Sequence, residues 1–142
     1  MSQLLSNLLG GMMRIYAPAT PPAVIMTGTF SDDLHEFGIL AAAILAAGAG
    51  LGVVHLGPNL PAKEVSYAAK RSGANVVLMS ITSRDLELRK EQLRSVRTAI
   101  PSQVEIWAGV NPASSELHVE GVRILKDFRD LEREIQRIGG RF

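Results

Sequence analysis

The chain has no cysteine. That single absence removes disulfides, thiolate metal sites and thiol catalysis, and it fits a reducing, cytoplasmic setting. Charge of either sign is not in excess: 15 basic side chains face 14 acidic ones, for a formal net charge of +1. No global basic field therefore points to nucleic acid, and any DNA contact has to come from another domain or partner. The longest apolar run, residues 37–54, is broken by glycines and sits at the lower edge of spanning length, so it does not read as a membrane helix. The N-terminal stretch MSQLLSNLLGGMMRIYAP lacks basic residues at its start and is split by Gly10 and Gly11, which makes it a poor signal peptide. Internal repeats and low-complexity segments are also missing.

What is present describes one soluble domain. The 142 residues are 46% apolar and 20% charged, enough to bury a core. Apolar residues at 4, 5, 8, 9, 12, 13 and 15 predict an N-terminal helix over 3–16, weakened by the glycine pair. Pro18, Pro21 and Pro22 end it, so residues 1–20 read as an apolar helix with a proline linker and 21–142 as the main domain. Strands are expected at 23–28, 50–57, 75–82, 103–109 and 122–125. Helices are expected at 36–48, after Pro61 as far as Gly73, at 85–100 and at 128–138. PNLP reads as a turn, and Asp85 and Arg89 as an exposed i,i+4 pair. Alternating strands and helices, with continuous apolar strands in the middle, predict a doubly wound, flavodoxin-like (Rossmann-like) α/β fold. Its five parallel strands take the order 2-1-3-4-5.

In that order the polar and small residues after three strands share one edge of the sheet. They are Thr27, Gly28, Thr29, Ser31, Asp32, Asp33 and His35 after the first strand. Ser80, Thr82 and Ser83 follow the third, and Gly109, Asn111, Ser114 and Ser115 the fourth. A ligand crevice belongs there, at the carboxyl ends of the first and third strands.

The stretch SDDLHEFG, 31–38, carries the sharpest chemistry. Asp33 and Glu36 have capping-box spacing before an apolar helix, a purely structural role. His35 is biased toward neutrality by the helix N-terminus, and a neutral imidazole is a metal ligand. With Asp33 accepting its Nδ1 proton, the other nitrogen is left free and more basic. No second His or Cys lies nearby to complete a zinc site, so a single protein ligand suits a metal held in a macrocycle: haem or a corrinoid. His55, in an apolar strand, reads as a satisfied core or interface histidine, His118 as solvated, and Trp107 as core.

The run Asp33-Leu34-His35-Glu36-Phe37-Gly38 resembles the DxHxxG motif of cobalamin-binding domains. The spacing to Ser80 and Gly109 resembles that family's SxL and GG motifs, over about residues 22–138. The stretch HEFGILAAAILAAGAGLGVVHLGPNLPAKEV is most similar to the corrinoid domains of MerR-like light-responsive regulators. The resemblance implies that His35 binds cobalt from below, displacing the cofactor's own benzimidazole. It also implies that Asp33 hydrogen-bonds His35 and that Gly38 lets the corrin approach. Ser80 would contact the displaced nucleotide tail in a slot between the first and third strands, with Gly109 leaving room deeper in it. Two positions depart from the pattern: Thr82 stands where Leu is usual, and Ala108 where the first Gly is. Regulators of this kind resemble a four-helix cap followed by such a domain, with a DNA-binding module. The residues before Pro18 have room for one helix, so a cover for the upper cobalt face would come from a partner or a second protomer.

The expected function is a cobalamin-binding sensor or regulatory module, a photoreceptor-type regulator of transcription rather than an enzyme. Its partner, or self-association, would act through the N-terminal helix. Two alternatives use the same His35: a corrinoid carrier subunit of a methyltransferase or mutase, and a haem-binding sensor. A phosphorylation receiver lacks its acceptor Asp, because Ser80 ends the third strand. An FMN site on Thr27–Ser31 would have Asp32 and Asp33 behind the phosphate, and a ligand-free interaction domain would keep the fold alone.

Overall fold

In a computed structural model, residues 13–14, 20–30 and 37–142 are described. Six strands form one sheet: β1 (Met13–Arg14), β2 (Val24–Phe30), β3 (Gly52–Leu60), β4 (Val76–Ile81), β5 (Glu105–Val110) and β6 (Arg123–Leu125). Their order is β1-β3-β2-β4-β5-β6. Strands β2 to β6 pair in parallel and stand in the expected order, second-first-third-fourth-fifth. β1 adds an antiparallel rim, with Met13 opposite His55 and Arg14 opposite Val54. This corrects the helix expected over 3–16: beyond the Gly10-Gly11 break, the chain pairs with the rim of β3. The rest of that segment, and the expected Asp33–Glu36 cap, lie outside the described residues.

Four helices cover the sheet: α1 (Phe37–Gly48), α2 (Ala62–Ser72), α3 (Leu86–Ala99) and α4 (Phe128–Arg137). Strand alternation sorts the core into two layers. Met26, Met79 and Ile106 point to one face and meet Val65 of α2 and Leu93 and Val96 of α3. Ile25, Leu78 and Trp107 point to the other and meet Ala42, Ala43 and Ala46 of α1 and Leu131 and Ile135 of α4. Trp107 is fully buried, as expected for a core residue. Gly73 ends α2 in the left-handed region, at φ 69°. Asp85 caps α3 by accepting from the Leu88 N–H at 3.2 Å, and Asp127 caps α4 by accepting from the Asp130 N–H at 2.8 Å.

Three local expectations change. β3 does not turn at PNLP but runs on to Leu60, with register shifts against β2 between Thr27 and Gly28 and between Gly28 and Phe30. Pro58 is tolerated there because β1 covers only the His55–Val54 level of the rim. Arg89 does not lie on the exposed face of α3. It is 1% exposed, lies one turn before Leu93 on the buried stripe, and donates from Nη1 to Gln92 Oε1 at 2.7 Å. Thr27, Gly28 and Thr29 belong to β2 rather than to the loop after it, and both threonines are fully buried. Thr27 Oγ1 lies 2.8 Å from His55 Nδ1, and the Asn59 N–H donates to Thr29 Oγ1 at 3.1 Å. His55 is thus the satisfied interior histidine expected. The Thr27–Phe30 backbone is spent on the sheet ladder instead of curling into a phosphate cradle.

Candidate functional site

A cleft of about 360 Å³ opens at the carboxyl edge of the sheet on the α1/α4 face. That volume lies in the range of small-molecule sites. α1 contributes Gly38, Ile39 and Ala42, and β4 with the residue after it contributes Leu78, Ser80 and Thr82. β5 and its loop contribute Gly109 to Pro112, and the end of β6 with the start of α4 contributes Leu125 to Phe128 and Leu131. Among the described lining residues none comes from β2. The described strand residues on its walls come from β4, the third parallel strand, and from β5 and β6.

Four of the residues singled out from the sequence, Gly38, Ser80, Thr82 and Gly109, come together on its walls. Asn111 joins them, whereas Ser114 and Ser115 do not. Asp33, Leu34 and His35 lie outside the described residues. α1 begins at Phe37, and its Gly38 stands on the cleft wall.

The two glycines carry information because the fold makes no demand for them. Neither adopts a positive φ, and a Cβ built on Gly38 or Gly109 meets nothing within 4 Å. By contrast, Gly28 would press against Gly57 O and Leu60 Cδ1, each 3.1 Å away. Glycine at 38 and 109, both on the cleft wall, leaves space that no side chain among the described residues fills. Ala108 does not crowd that space. It is fully buried in the α2/α3 layer, so the methyl that departs from the GG pattern points to the opposite face. Thr82, the other departure, does stand on the wall.

The surrounding loops are tied down. Ser114 Oγ donates to Ile81 O at 2.6 Å, joining the loop after β5 to the end of β4. Asn111 Oδ1 accepts from the Ser114 N–H at 3.2 Å, and the Ser114 hydroxyl accepts from the Asn111 N–H at 3.1 Å, a reciprocal cap. On the other wall the Lys126 N–H donates to Asp130 Oδ2 at 2.8 Å. That bond is the main cause holding the Asp130 carboxyl below the ordinary aspartate value, with the Arg133 guanidinium adding to it. No group of three or more metal-ligating side chains occurs among the described residues. No helix among them is long and apolar enough to cross a membrane. The β6–α4 wall was not singled out from the sequence, although the loop after the last strand shares the same sheet edge and the topology alone places it there.

The cleft has mostly aliphatic walls, a hydroxyl at Ser80, and open space beside Gly109. No family model matches the chain. Over 87 residues, 61% of its length, it is 31% identical to the HTH-type transcriptional repressor CarH of Myxococcus xanthus, of which it spans 29%. A cobalamin-binding protein from Desulfitobacterium hafniense superposes with a TM-score of 0.69 at 20% identity, over 83% of this chain and 60% of that one. The methanol:cobalamin methyltransferase complex MtaBC of Methanosarcina barkeri superposes with a TM-score of 0.67 at 16% identity, over 87% of this chain and 49% of that one. This chain thus shares the fold of corrinoid proteins and is similar in sequence to a transcriptional repressor, the same grouping that its motifs resemble.

Proposed function

We propose that the chain is a cobalamin-binding sensor or regulatory module, with His35 as the lower axial cobalt ligand and the nucleotide tail housed in the cleft over β4 and β5. The observation that carries this reading is the pair of glycines, 38 and 109, that open onto one apolar cleft beside Ser80 without any backbone need for glycine. When bound, the cofactor supplies a cobalt centre whose upper ligand can be exchanged or released. The chain supplies the rest. His35 presents a neutral ring nitrogen, and Asp33 accepts the proton of the other nitrogen and fixes the tautomer. Gly38 admits the ring edge, the Ser80 and Thr82 hydroxyls meet polar atoms of the tail, and Gly109 leaves the floor free.

A regulatory role is supported by α1 and by the repressor relative. The helix has no charged or polar side chain. Its inner residues Ile39 and Ala42 line the cleft, while Leu40 and Ile44 on its outer side are 38% and 56% exposed. A shift in the cleft therefore reaches an apolar surface that a partner, a second protomer or the N-terminal segment can read. Exposed apolar faces of this kind mark interaction sites.

The test is spectroscopic. Purified chain is incubated separately with hydroxocobalamin, methylcobalamin, adenosylcobalamin and haemin, then desalted beside His35→Ala. Retained corrinoid with an imidazole-ligated spectrum, lost in the variant, supports the reading. Retention of haemin alone moves it to a haem sensor. A second reading, a corrinoid carrier subunit, is favoured by the fold shared with the methyltransferase complex. It predicts methyl loss from the methylcobalamin-loaded chain to a thiol acceptor in the dark. The sensor reading predicts instead a change of oligomeric state when the upper ligand is released by light or exchange.

A further inference from the structure

We propose that residues 3–9 dock on the outer flank of α1 within the same molecule, covering Leu40 and Ile44, so that a partner reaches this flank only by displacing them. The inference is independent of the cobalamin reading. α1 has no charged or polar side chain, yet Leu40 and Ile44 are 38% and 56% exposed. Both stand about 160° around the helix from Ala42, at 3.6 residues per turn. Ala42 shares the cleft with Phe128 and Leu131 of α4. Leu40 and Ile44 are therefore on the side away from α4. α4 packs on β6, and α1 on β3, β2 and β4, so that side is the β3 side of the sheet, where β1 forms the rim.

Connectivity brings the segment to this flank. Met13 lies opposite His55 and Arg14 opposite Val54, antiparallel to β3, so the chain enters β1 from the carboxyl edge of the sheet. α1 starts from that same edge, because it follows β2. The chemistry also matches. Residues 1–13 contain no charged side chain. In helical spacing Leu4, Leu5, Leu8 and Leu9 fall within one arc of about 140°, and Ser2, Gln3, Ser6 and Asn7 take the rest. Two turns of such a helix span about 11 Å, enough to cover Leu40 and Ile44, which are one turn apart. Gly10 and Gly11 lie between this stretch and β1 and leave the chain free to reverse. A short tether of this kind holds the leucine face at an effective concentration on the order of millimolar, which favours the same molecule over a second copy.

The experiment uses the absence of cysteine, which lets introduced thiols report without background. In the full chain, Ile44→Cys is labelled with a maleimide dye, alone and combined with Leu5→Ser and Leu8→Ser. Labelling is expected to be several-fold faster in the combined variant, with an unchanged circular-dichroism spectrum. Equal rates overturn the inference. An independent test cross-links Leu5→Cys/Ile44→Cys with a short bis-maleimide at low and high protein concentration. The expected product is a cross-linked monomer whose yield does not depend on concentration. It should exceed the yield from Leu5→Cys/Glu91→Cys, a control that places the second thiol at an exposed position of α3 on the opposite face of the sheet. A cross-linked dimer whose yield rises with concentration overturns the inference in favour of a second copy on α1. No cross-link, or equal yields from the two pairs, overturns it outright. Both measurements are made without corrinoid, so their failure leaves the roles proposed for His35 and the cleft untouched.

Discussion

The two faces of the sheet are built from different side chains, and the cleft that gathers Gly38, Ser80, Thr82 and Gly109 opens on one of them. On the α2/α3 face, Val65, Leu93 and Val96 join methionines and isoleucines of the strands in one buried layer. On the α1/α4 face, α1 brings FGILAAAILAAG, in which alanine and glycine do most of the covering. Short side chains let that helix lie close to the strands along its length, while at its N-terminal end, where Gly38 and Gly109 both line the walls, there is a cleft. The same doubly wound frame thus yields a closed layer and a receptive one by side-chain size alone.

The largest expected effect tests the closed layer. Leu93 is fully buried in it, and Leu93→Ala should cost about 2–5 kcal/mol in chemical denaturation through the cavity it leaves. Corrinoid affinity of the folded variant should stay as in wild type, because the lesion is on the other side of the sheet. An affinity loss would mean that the two faces are not independent. A smaller effect is expected from overfilling the receptive layer. Ala46 is fully buried under α1, and Ala46→Leu should push the helix off the sheet for about 1–3 kcal/mol. Here corrinoid affinity should fall as well, since Ile39 and Ala42 move with the helix. Retained affinity would show that the cleft does not depend on how closely α1 lies.

The smallest effect concerns the far rim of the receptive face. Burial raises the Glu105 carboxyl, but hydrogen bonds from Arg137 and from Trp107 Nε1, the latter at 3.1 Å, outweigh it and leave the group below its ordinary value of 4.5. A depressed folded value means that the stabilisation is fully present above pH 4.5 and is lost as pH falls through the lower, folded value. Thermal melts of Glu105→Gln against wild type should therefore differ at neutral pH and converge in acid. A gap that persists unchanged at low pH would assign the effect to packing around Trp107 instead of to charge.

Most of the frame was legible because each strand is a short apolar run and each helix carries an end signal. The capping Asp85, the left-handed Gly73 and the continuous strands β3 and β4 left little choice of topology. The site was legible in part. Ser80, Thr82 and Gly109 were found from their positions at strand ends and Gly38 from the resemblance to the DxHxxG motif, and the structure gathers them. What was missed depends on neighbours distant in sequence. Arg89 looks like a surface cation until the stripe through Leu93 and Val96 is seen to include it. Thr27 and Thr29 look like loop residues until His55 and the Asn59 amide are found beside them. Phe128 reads as the start of the last helix, and only the cleft between α1 and α4 shows it among the lining residues.

The left-handed Asn59, at φ 64°, and its neighbour Pro58 have a consequence beyond local shape. An uncovered strand margin is a template on which another chain can lengthen the sheet and start aggregation. β1 blocks that margin at Val54 and His55. Above it, Pro58 brings no N–H to offer, and the Asn59 N–H is turned inward to Thr29. The ladder that an incoming strand would need is interrupted at two successive residues. Sheet-to-sheet polymerisation through this margin is thereby discouraged.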